Sequence, residues 1–420
     1  MSKKTKTKPK SKSKSGMISV AEALAKVAAG VSLVSSEHVP LPAALGRVLA
    51  EDVAARLTHP PPAVSAMDGH ALRAADVAEV PATLKQIGEA QAGSGFSGRV
   101  RAGETVRIFT GAPLPDGADT VIIQEVTDAD GDSIVIKETA PEGDFVRAAG
   151  LDFSEGEVLL AQGRVLTARD LGLAAAMNVP WLTVRRRPRI AYTATGDEVV
   201  MPGDPLGPDQ IISSNSVALG AYIKVLGGEP VNLGIARDNE ESLRQVFEGA
   251  RGCDLLVTMG GASVGDYDFV RQALDGEGVD LGFYKVAMRP GKPLIFGRLG
   301  AIPVLGLPGN PVSAGVTSVI FLRAAIRKMT GLEPVDETPA TALLGRGLEA
   351  NDFRQDYLRA GLSRDGDGNL VATPFERQDS AMMARLARAD CLVVRPPEAP
   401  AAKKGERVEI ISLGEGAVAS

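Results

Sequence analysis

The sequence predicts a multidomain α/β protein built around a doubly wound α/β domain, and three observations support this fold class. Residues 186–331 alternate strand-like and helical stretches, as in PRIAYTATG followed by SNSVALGAYIKVLGG, which is typical of a parallel sheet flanked by helices. Residues 52–149 and 337–420 contain short apolar runs broken by glycine and proline, which indicates β-rich modules. The length of 420 residues also exceeds that of a single core, so several domains are expected.

Two stretches outside these modules have the periodicity of helices. ISVAEALAKVAAGV has apolar residues at helical spacing, with Ser19 as a candidate N-cap. GRVLTARDLGLAAAMNV repeats the pattern, with Thr167 as its candidate cap. We therefore predict helical parts at residues 17–51 and 150–185, on either side of the β-rich module.

The positive charge is concentrated at the N-terminus. Residues 1–16 carry seven lysines and no acidic side chain, so the formal net charge of −6 leaves −13 on residues 17–420. A lysine-rich stretch of this kind cannot bury enough apolar surface to fold, so we predict a disordered tail. The acidic remainder of the chain argues against nucleic-acid binding.

Composition also bears on the compartment. No apolar run reaches the roughly 18 residues needed to span a bilayer, and the N-terminus lacks the apolar segment of a secretory signal. Cys253 and Cys391 each lie beside a strand-like run and are expected to be buried thiols. We therefore expect a cytoplasmic protein that does not bind membranes. Three histidines without ligand spacing make a His-based zinc site unexpected.

Three acidic residues follow successive predicted strands of the α/β domain. They are Glu198 in TGDE, Asp238 in GIARD and Asp268 in GGASVGDYD. Ligands of doubly wound folds lie beyond the carboxyl ends of the strands, so these carboxylates are expected to converge on a metal or ligand site. Simple structural interpretations remain open: a solvated turn for Glu198 and a helix cap for Asp238.

The loop VTMGGASVGDYD (residues 257–268) is compatible with a phosphate cradle or with an ordinary strand-to-helix turn. Glycines permit positive φ and let backbone N–H groups approach an anion closely. The candidate cradle residues are Gly260, Gly261, Ser263 and Gly265.

The stretch KVAMRPGKP is the strongest cationic feature. Strand alternation predicts Lys285 and Arg289 on one face, and Lys292 follows a Pro-Gly turn. Such cations suit an oxyanion, although a solvated charged edge is the alternative. In the following LPGNPVS, Asn310 fits an N-cap and Pro311 the first helical position, so the turn is compatible with an anion site or with a purely structural role.

Taken together, the motifs resemble one family. SAMDGHA, IFTGAPLPDGADTVI, the Gly150-Leu-Asp152 turn, TGDE, GIARD, GGASVGDYD, KVAMRPGKP and GLPGNPVSA occur in the order found in molybdopterin molybdenumtransferases. These are the MoeA proteins, which are similar to the E domain of gephyrin and of its plant counterpart. The resemblance extends from residue 17 to about residue 415.

The resemblance implies an elongated homodimer with four subdomains. A discontinuous helical domain (17–51 and 150–185) is interrupted by a β-rich domain (52–149). An α/β domain like that of the molybdopterin adenylyltransferases (186–331) follows, and a small β-barrel domain (337–420) ends the chain. In this family the site lies between the α/β domain of one subunit and the β module of the other.

The resemblance also implies a reaction. Molybdenum from molybdate enters adenylylated molybdopterin, and AMP is released with Mg²⁺ as the cofactor; a molybdopterin adenylyltransferase is a possible partner that supplies the substrate. Glu198, Asp238 and Asp268 would hold the metal. The other implied site residues are Asp68, Thr110, Asp152, Lys285, Arg289, Lys292, Pro308, Asn310, Arg359 and Ser380, together with the glycine-rich loop.

The sequence departs from the family pattern at four places. His70 stands where tyrosine is usual, and Arg289 stands where lysine is usual. Ser214 replaces a common acid, and Ser380 lacks the glycine that normally precedes it. The alternatives are an adenylyltransferase, a paralogue that inserts tungsten, and a non-catalytic scaffold that binds molybdopterin. Molybdate and tungstate are nearly the same size, so the sequence does not distinguish a molybdenum-inserting enzyme from a tungsten-inserting one.

Overall fold

The computed structural model describes residues 16–260, 280–334 and 339–413, and it divides into two compact units. The smaller unit comprises residues 37–184. The larger unit comprises the remaining residues on both sides of it, and each unit has hydrophobic clusters of its own.

Helix α1 (Val20–Gly30) belongs to the larger unit. Ser19 caps it, as predicted, by accepting a hydrogen bond from the N–H of Glu22 at 3.1 Å. The buried face of α1 joins the largest apolar cluster of that unit. Its predicted grouping with residues 150–185 in one helical domain stays a prediction.

The smaller unit is built mainly from short strands. They are β1 (Ser36–Pro40), β2 (Val53–Ala54), β3 (Val64–Ser65), β4 (Gly69–Leu72), β5 (Ala82–Ala90), β6 (Glu104–Ile108), β7 (Thr120–Ile123), β8 (Thr127–Asp130), β9 (Ser133–Ile136), β10 (Val146–Arg147), β11 (Val158–Leu160) and β12 (Trp181–Arg185). Six of them form a sheet in the order β7-β4-β6-β5-β9-β8. Ala71 and Leu72 are neighbours on β4 but lie in different apolar clusters, because successive strand residues point to opposite faces.

Strand pairs and one helix complete the smaller unit. The pairs are β1–β12, β2–β11 and β3–β10. Helix α2 (Ala168–Ala176) begins at a capping box, in which Thr167 Oγ1 accepts from the Asp170 N–H and the Asp170 carboxylate accepts from the Thr167 N–H. The prediction that Thr167 caps this helix is confirmed.

The larger unit contains a six-stranded sheet in the order β16-β13-β17-β21-β20-β18. The strands of this region are β13 (Arg189–Thr195), β14 (Val199–Val200), β15 (Ile211–Ile212), β16 (Glu229–Ala236), β17 (Leu255–Met259), β18 (Asp280–Lys285), β19 (Met288–Arg289), β20 (Pro293–Leu299) and β21 (Ile302–Leu307). Strands β16, β13, β17 and β21 are parallel, whereas β20 is antiparallel to β21. Only Gly300 and Ala301 connect those two strands, and a connection so short makes a hairpin rather than a crossover.

Helices cover this sheet and confirm the predicted doubly wound α/β class. They are α3 (Ser214–Val225), α4 (Glu240–Gly249), α5 (Pro311–Thr317) and α6 (Arg323–Met329), with a π-helical segment (Ser318–Leu322) joining the last two. Ile190 and Val257 lie in one apolar cluster, and their strand neighbours Ala191 and Leu256 lie in another. Both faces of the sheet are therefore buried, as the near-continuous apolar strands predict.

The C-terminal region forms a closed five-stranded barrel, which confirms the predicted barrel domain. Its elements are β22 (Ala340–Leu344), β23 (Gln355–Arg364), β24 (Leu370–Pro374), helix α7 (Met383–Ala387), β25 (Cys391–Arg395) and β26 (Arg407–Ser412). The order β23-β24-β22-β26-β25 closes through pairing of β25 with β23. Strand β19 adds to the outside of this barrel by pairing with β23, although it lies in the α/β segment of the chain.

The two cysteines agree with the prediction of buried thiols. Cys253 and Cys391 are both free and buried. Burial raises the pKa of Cys391 to about 12, so this thiol stays protonated at neutral pH. Within the described parts of the chain, no helix is long and apolar enough to cross a membrane.

Candidate active site

A cleft of about 940 Å³ opens beyond the carboxyl ends of the parallel strands in the larger unit. Thr195 ends β13, Met259 ends β17, and Pro308 follows β21; all three line the cleft. The segments 211–215, 288–293 and 309–311 and the turn 378–380 of the barrel contribute further walls. The position is the one expected for ligands of doubly wound sheets.

Two of the three predicted acids meet in this cleft. Glu198 follows β13 and Asp238 follows β16, and these strands are hydrogen-bonded neighbours in the sheet. Burial raises the pKa of Asp238, and the nearby carboxylates of Asp197 and Glu198 raise it further. Asp238 does not cap α4, because Asn239 accepts the capping hydrogen bond from Ser242 at 2.9 Å. The predicted capping role of Asp238 is therefore wrong, whereas a solvated turn remains the alternative for Glu198, which is exposed.

Gly260 directly follows strand β17, at a point where its backbone lies close to Thr195 at the end of β13. Its φ is +95°, and a Cβ there would lie 2.9 Å from the carbonyl oxygen of Thr195. The cleft is lined by Gly260. The other predicted residues of this loop lie outside the described residues: Gly261, Ser263, Gly265 and Asp268.

The predicted cations are arranged differently from expectation. Strand β18 ends at Lys285, and Arg289 lies on β19, which pairs with the barrel, so the two side chains do not share one strand face. Arg289 and Lys292 line the cleft. Lys285 is not among the described residues that line the cleft. Its Nζ donates to the hydroxyl of Tyr284 at 2.8 Å. The alternation rule failed here because the chain turns at Val286, whose N–H donates to the carbonyl of Lys292.

The helix N-terminus after β21 faces the cleft. Pro311 begins α5, as predicted, and Asn310 occupies the N-cap position. The side chain of Asn310 makes no capping hydrogen bond; it donates instead to Ser380 Oγ at 3.1 Å. Pro311 has no N–H, and the Val312 N–H donates to the carbonyl of Ser380 at 3.1 Å. The positive end of the helix dipole nevertheless favours an anion at this end of the cleft.

Ser380 lies in the 378–380 turn of the barrel and Arg359 lies on strand β23 behind it, and of the two only Ser380 lines the cleft. Arg359 is fully buried behind the turn and donates from Nη2 to the carbonyl of Asp379 at 3.0 Å. Its Nε and Nη1 have no hydrogen-bond partner among the described residues. Burial lowers the pKa of Arg359, which nevertheless stays charged.

The predicted residues of the smaller unit fall in its loops. Asp68 Oδ1 accepts hydrogen bonds from both the N–H and the hydroxyl of Thr110, each at 2.8 Å. These bonds lower the pKa of Asp68, so its carboxylate is ionised at neutral pH. Asp152 lies in a turn where its N–H donates to the carbonyl of His59. Asp68 and Thr110, which the resemblance names as site residues, are therefore in direct contact, and the sequence did not predict this contact.

Models of known families match three segments of the chain. The "MoeA N-terminal region (domain I and II)" matches residues 18–178, a "Probable molybdopterin binding domain" matches 191–328, and the "MoeA C-terminal region (domain IV)" matches 341–413. The chain belongs to the molybdopterin molybdenumtransferase family. The resemblance inferred from the sequence motifs is thereby confirmed.

Individual members of the molybdopterin molybdenumtransferase family are similar in sequence to this chain over most of their length. The protein of that name from Nostoc sp. is 41% identical over 393 residues, which cover 90% of this chain and 89% of the relative. The protein from Haemophilus influenzae is 33% identical over 89% of this chain and 93% of the relative. The crystal structure of the molybdopterin biosynthesis MoeA protein from Pyrococcus horikoshii has 30% identity and a TM-score of 0.82, covering 95% of this chain and 100% of that one.

The molybdenumtransferase cleft is also lined by residues that the sequence analysis did not name as site residues. These are Ser213, Asn215, Arg354, Gln378 and Asp379. Asn215 opens α3 and donates to the carbonyl of Gly309 at 2.6 Å, and the SSN motif before that helix was a usable signal. Arg354 had no local signal, because its place in the cleft depends on how the barrel packs.

His70, which departs from the motif expected from the resemblance, is buried on β4. Burial, with Arg107 adding to it, lowers the pKa of His70 to about 4. As the pH falls below about 6.5, the imidazole of His70 is protonated in the unfolded chain before it is protonated in the folded chain. The folded state therefore loses stability between pH 6.5 and 4.

We expect His70→Phe to abolish that contribution. The wild type should lose about 2 kcal/mol more unfolding free energy than the variant between pH 7 and pH 4.5. Urea unfolding at both pH values, followed by fluorescence and by circular dichroism, measures the difference. Equal losses in the two proteins would show that the folded state does not hold His70 neutral.

Proposed function

We propose that this chain inserts molybdenum from molybdate into adenylylated molybdopterin and releases AMP. The observation that carries the proposal is the single cleft that brings Glu198, Asp238, Arg289 and Lys292 together beyond the strand ends. It lies mainly in the segment that matches a probable molybdopterin binding domain. Family membership supports the transferase activity, and the cleft supports the anionic substrates.

The charges in the cleft suit two kinds of group. Molybdate and phosphate have only hydrogen-bond acceptors, so their partners must be donors. Arg289 and Lys292 are donors of this kind, and the positive end of the α5 dipole adds to their attraction for an anion. The carboxylates would repel both anions unless a cation lies between them, so we assign Glu198 and Asp238 to the metal side of the site.

The two carboxylates fit a hard divalent cation such as Mg²⁺. Burial raises the pKa of Asp238, and the repulsion of the nearby carboxylates raises it further; a bound cation would relieve that repulsion. Mg²⁺ usually takes one or two protein carboxylates and fills its remaining positions with water and substrate phosphates. Within the described residues no group of three or more potential ligands is assembled, so Asp268 stays a predicted third ligand.

The residues of the chain then have separate tasks. A bound Mg²⁺ would neutralise charge on the phosphate that leaves with AMP. Arg289 and Lys292 would hold the anionic groups, and Asn310 would keep Ser380 against them through its hydrogen bond of 3.1 Å. We further propose a homodimer, which light scattering tests: a fully active monomer would contradict it.

AMP release tests the proposed reaction. Purified protein is mixed with adenylylated molybdopterin and Mg²⁺, with molybdate, with tungstate or with neither, and AMP is followed by chromatography. We expect molybdate to stimulate the release of AMP. Stimulation by tungstate alone would indicate the tungsten paralogue. Binding of the substrate without AMP release under any condition would leave a scaffold and overturn the proposed reaction.

A further inference from the structure

A second groove, of about 490 Å³, lies on the outer surface of the C-terminal barrel. Strands β23 and β24 form its floor, where Gly361 and Thr373 are partners in the register. Their neighbours Ala360 and Ala372 belong to the barrel core, so Gly361 and Thr373 face outward. The described residues that line this groove are not among those that line the cleft, so the two are distinct.

One wall of the groove contains an arginine that is held at one edge. Arg346 follows β22 and is half-buried; its Nε donates to the carbonyl of Pro374 at 2.7 Å, and its Nη2 donates to the carbonyl of Phe375 at 3.0 Å. Its Nη1 makes no hydrogen bond to any residue in the described part of the chain. A guanidinium fixed in this way presents its remaining donors in a defined geometry.

A second arginine lines the same groove from helix α7. The guanidinium carbon of Arg385 lies 5.7 Å from the centre of the Phe375 ring. Arg385 has no hydrogen bond or ion pair with the residues that the structure describes. Arg346 and Arg385 therefore both contact Phe375, one at its carbonyl and one at its ring. An anionic group of a ligand could accept hydrogen bonds from both arginines, which suits a phosphate.

An acidic side chain limits the kind of anion that fits. Glu376 also lines the groove, is exposed, and has no hydrogen bond or ion pair within the described ranges. Its carboxylate only accepts hydrogen bonds, so the ligand must present donors to it. Guanine and pterins share an amino-oxopyrimidine edge, on which a ring N–H and an amino group lie side by side and match the two carboxylate oxygens. The half-buried ring of Phe375 adds apolar surface for a planar heterocycle.

We propose that this groove binds the monophosphate of a planar amino-oxopyrimidine heterocycle, the chemistry that guanine nucleotides and pterin phosphates share. Arg346 and Arg385 would hold the phosphate, and Glu376 would hold the amino-oxopyrimidine edge. The proposal does not depend on the proposed reaction, because the groove and the cleft are lined by different residues. The competing explanation is that Arg346 only fastens the turn at Pro374 and Arg385 only covers Phe375.

Calorimetry with guanosine monophosphate tests the phosphate end of the groove. The full chain is compared with Arg385→Gln, which removes the charge without removing a hydrogen bond to any described residue. Arg388→Gln is the matched control, because Arg388 is exposed at the end of the same helix and does not line the groove. We expect Arg385→Gln to weaken binding about tenfold or more, and the control to stay within about twofold of the wild type.

Lys292→Met separates the groove from the cleft. We expect this variant to bind guanosine monophosphate as the wild type does, because Lys292 lines only the cleft. Binding that is weakened by Lys292→Met and not by Arg385→Gln would place the nucleotide in the cleft and overturn the proposal. The proposal also fails if neither guanosine monophosphate nor neopterin phosphate binds saturably. Where both bind, the tighter of the two identifies the source of the ligand.

Inosine monophosphate tests the role of Glu376, because it lacks the amino group of guanine. We expect the wild type to bind guanosine monophosphate about tenfold more tightly than inosine monophosphate, and Glu376→Gln to lose most of this preference. Glu406→Gln is the control, since Glu406 is exposed elsewhere on the barrel. If the wild type binds guanosine monophosphate, inosine monophosphate and inorganic phosphate equally well, the proposed ligand class is wrong.

Discussion

Replacing Asp238 by Asn is expected to lower molybdate-stimulated AMP release about a hundredfold at saturating substrate. The structure holds this carboxylate beside Glu198 and Asp197, where burial and repulsion raise its pKa. The amide removes the charge that would attract a divalent cation while keeping nearly the same shape. Single-turnover AMP release over a range of Mg²⁺ concentrations measures both the rate and its metal dependence.

Asp367→Asn provides the control for this substitution. Asp367 lies in the exposed turn between β23 and β24, away from the residues that line the cleft. The Asp367→Asn substitution should leave both the rate of AMP release and its Mg²⁺ dependence unchanged. A rate for Asp238→Asn equal to that of the control would remove Asp238 from the reaction and leave its raised pKa as a consequence of packing alone.

Lys292→Met is expected to raise the half-saturating concentration of the anionic substrate by about tenfold or more. The side chain is exposed at the cleft, and methionine keeps its length while removing the ammonium group. Backbone structure should persist, because the carbonyl of Lys292 still accepts from the Val286 N–H. Steady-state AMP release at varied molybdate and varied substrate shows which anion the lysine holds.

Lys404→Met is the matched control on the exposed surface of the barrel domain. It changes the net charge equally but lies outside the set of residues that line the cleft. Equal effects of the two substitutions would indicate a general electrostatic attraction of anions. In that case Lys292 would have no specific contact with the substrate.

Much of the α/β domain was predictable from local patterns. Near-continuous apolar strands alternate there with helices, and outside that domain the helix caps predicted at Ser19 and Thr167 are also present. The meeting of Glu198 and Asp238 was also predictable, because the carboxyl ends of neighbouring parallel strands share one edge of the sheet. A rule about topology sufficed there, without knowledge of any side-chain contact.

The cationic side of the cleft was not predictable in the same way. Period-two alternation placed Lys285 and Arg289 on one strand face, but the chain leaves the sheet after Lys285. Arg289 then joins the barrel, which brings Asp352 and Asp356 to it from about sixty positions further along the sequence. Local periodicity contains no information about such a long-range pairing.

By itself, the sequence determined the family, the α/β domain followed by a barrel, and the meeting of Glu198 and Asp238, since these follow from motifs and from strand ends that share one edge. Only the tertiary structure decided that Arg359 is buried behind Ser380 and that Arg354 reaches the cleft. Those positions depend on the register of β19 on β23 and on the packing of the barrel turn against α5. Contacts between elements distant in sequence set both, and residue spacing along the chain does not encode them.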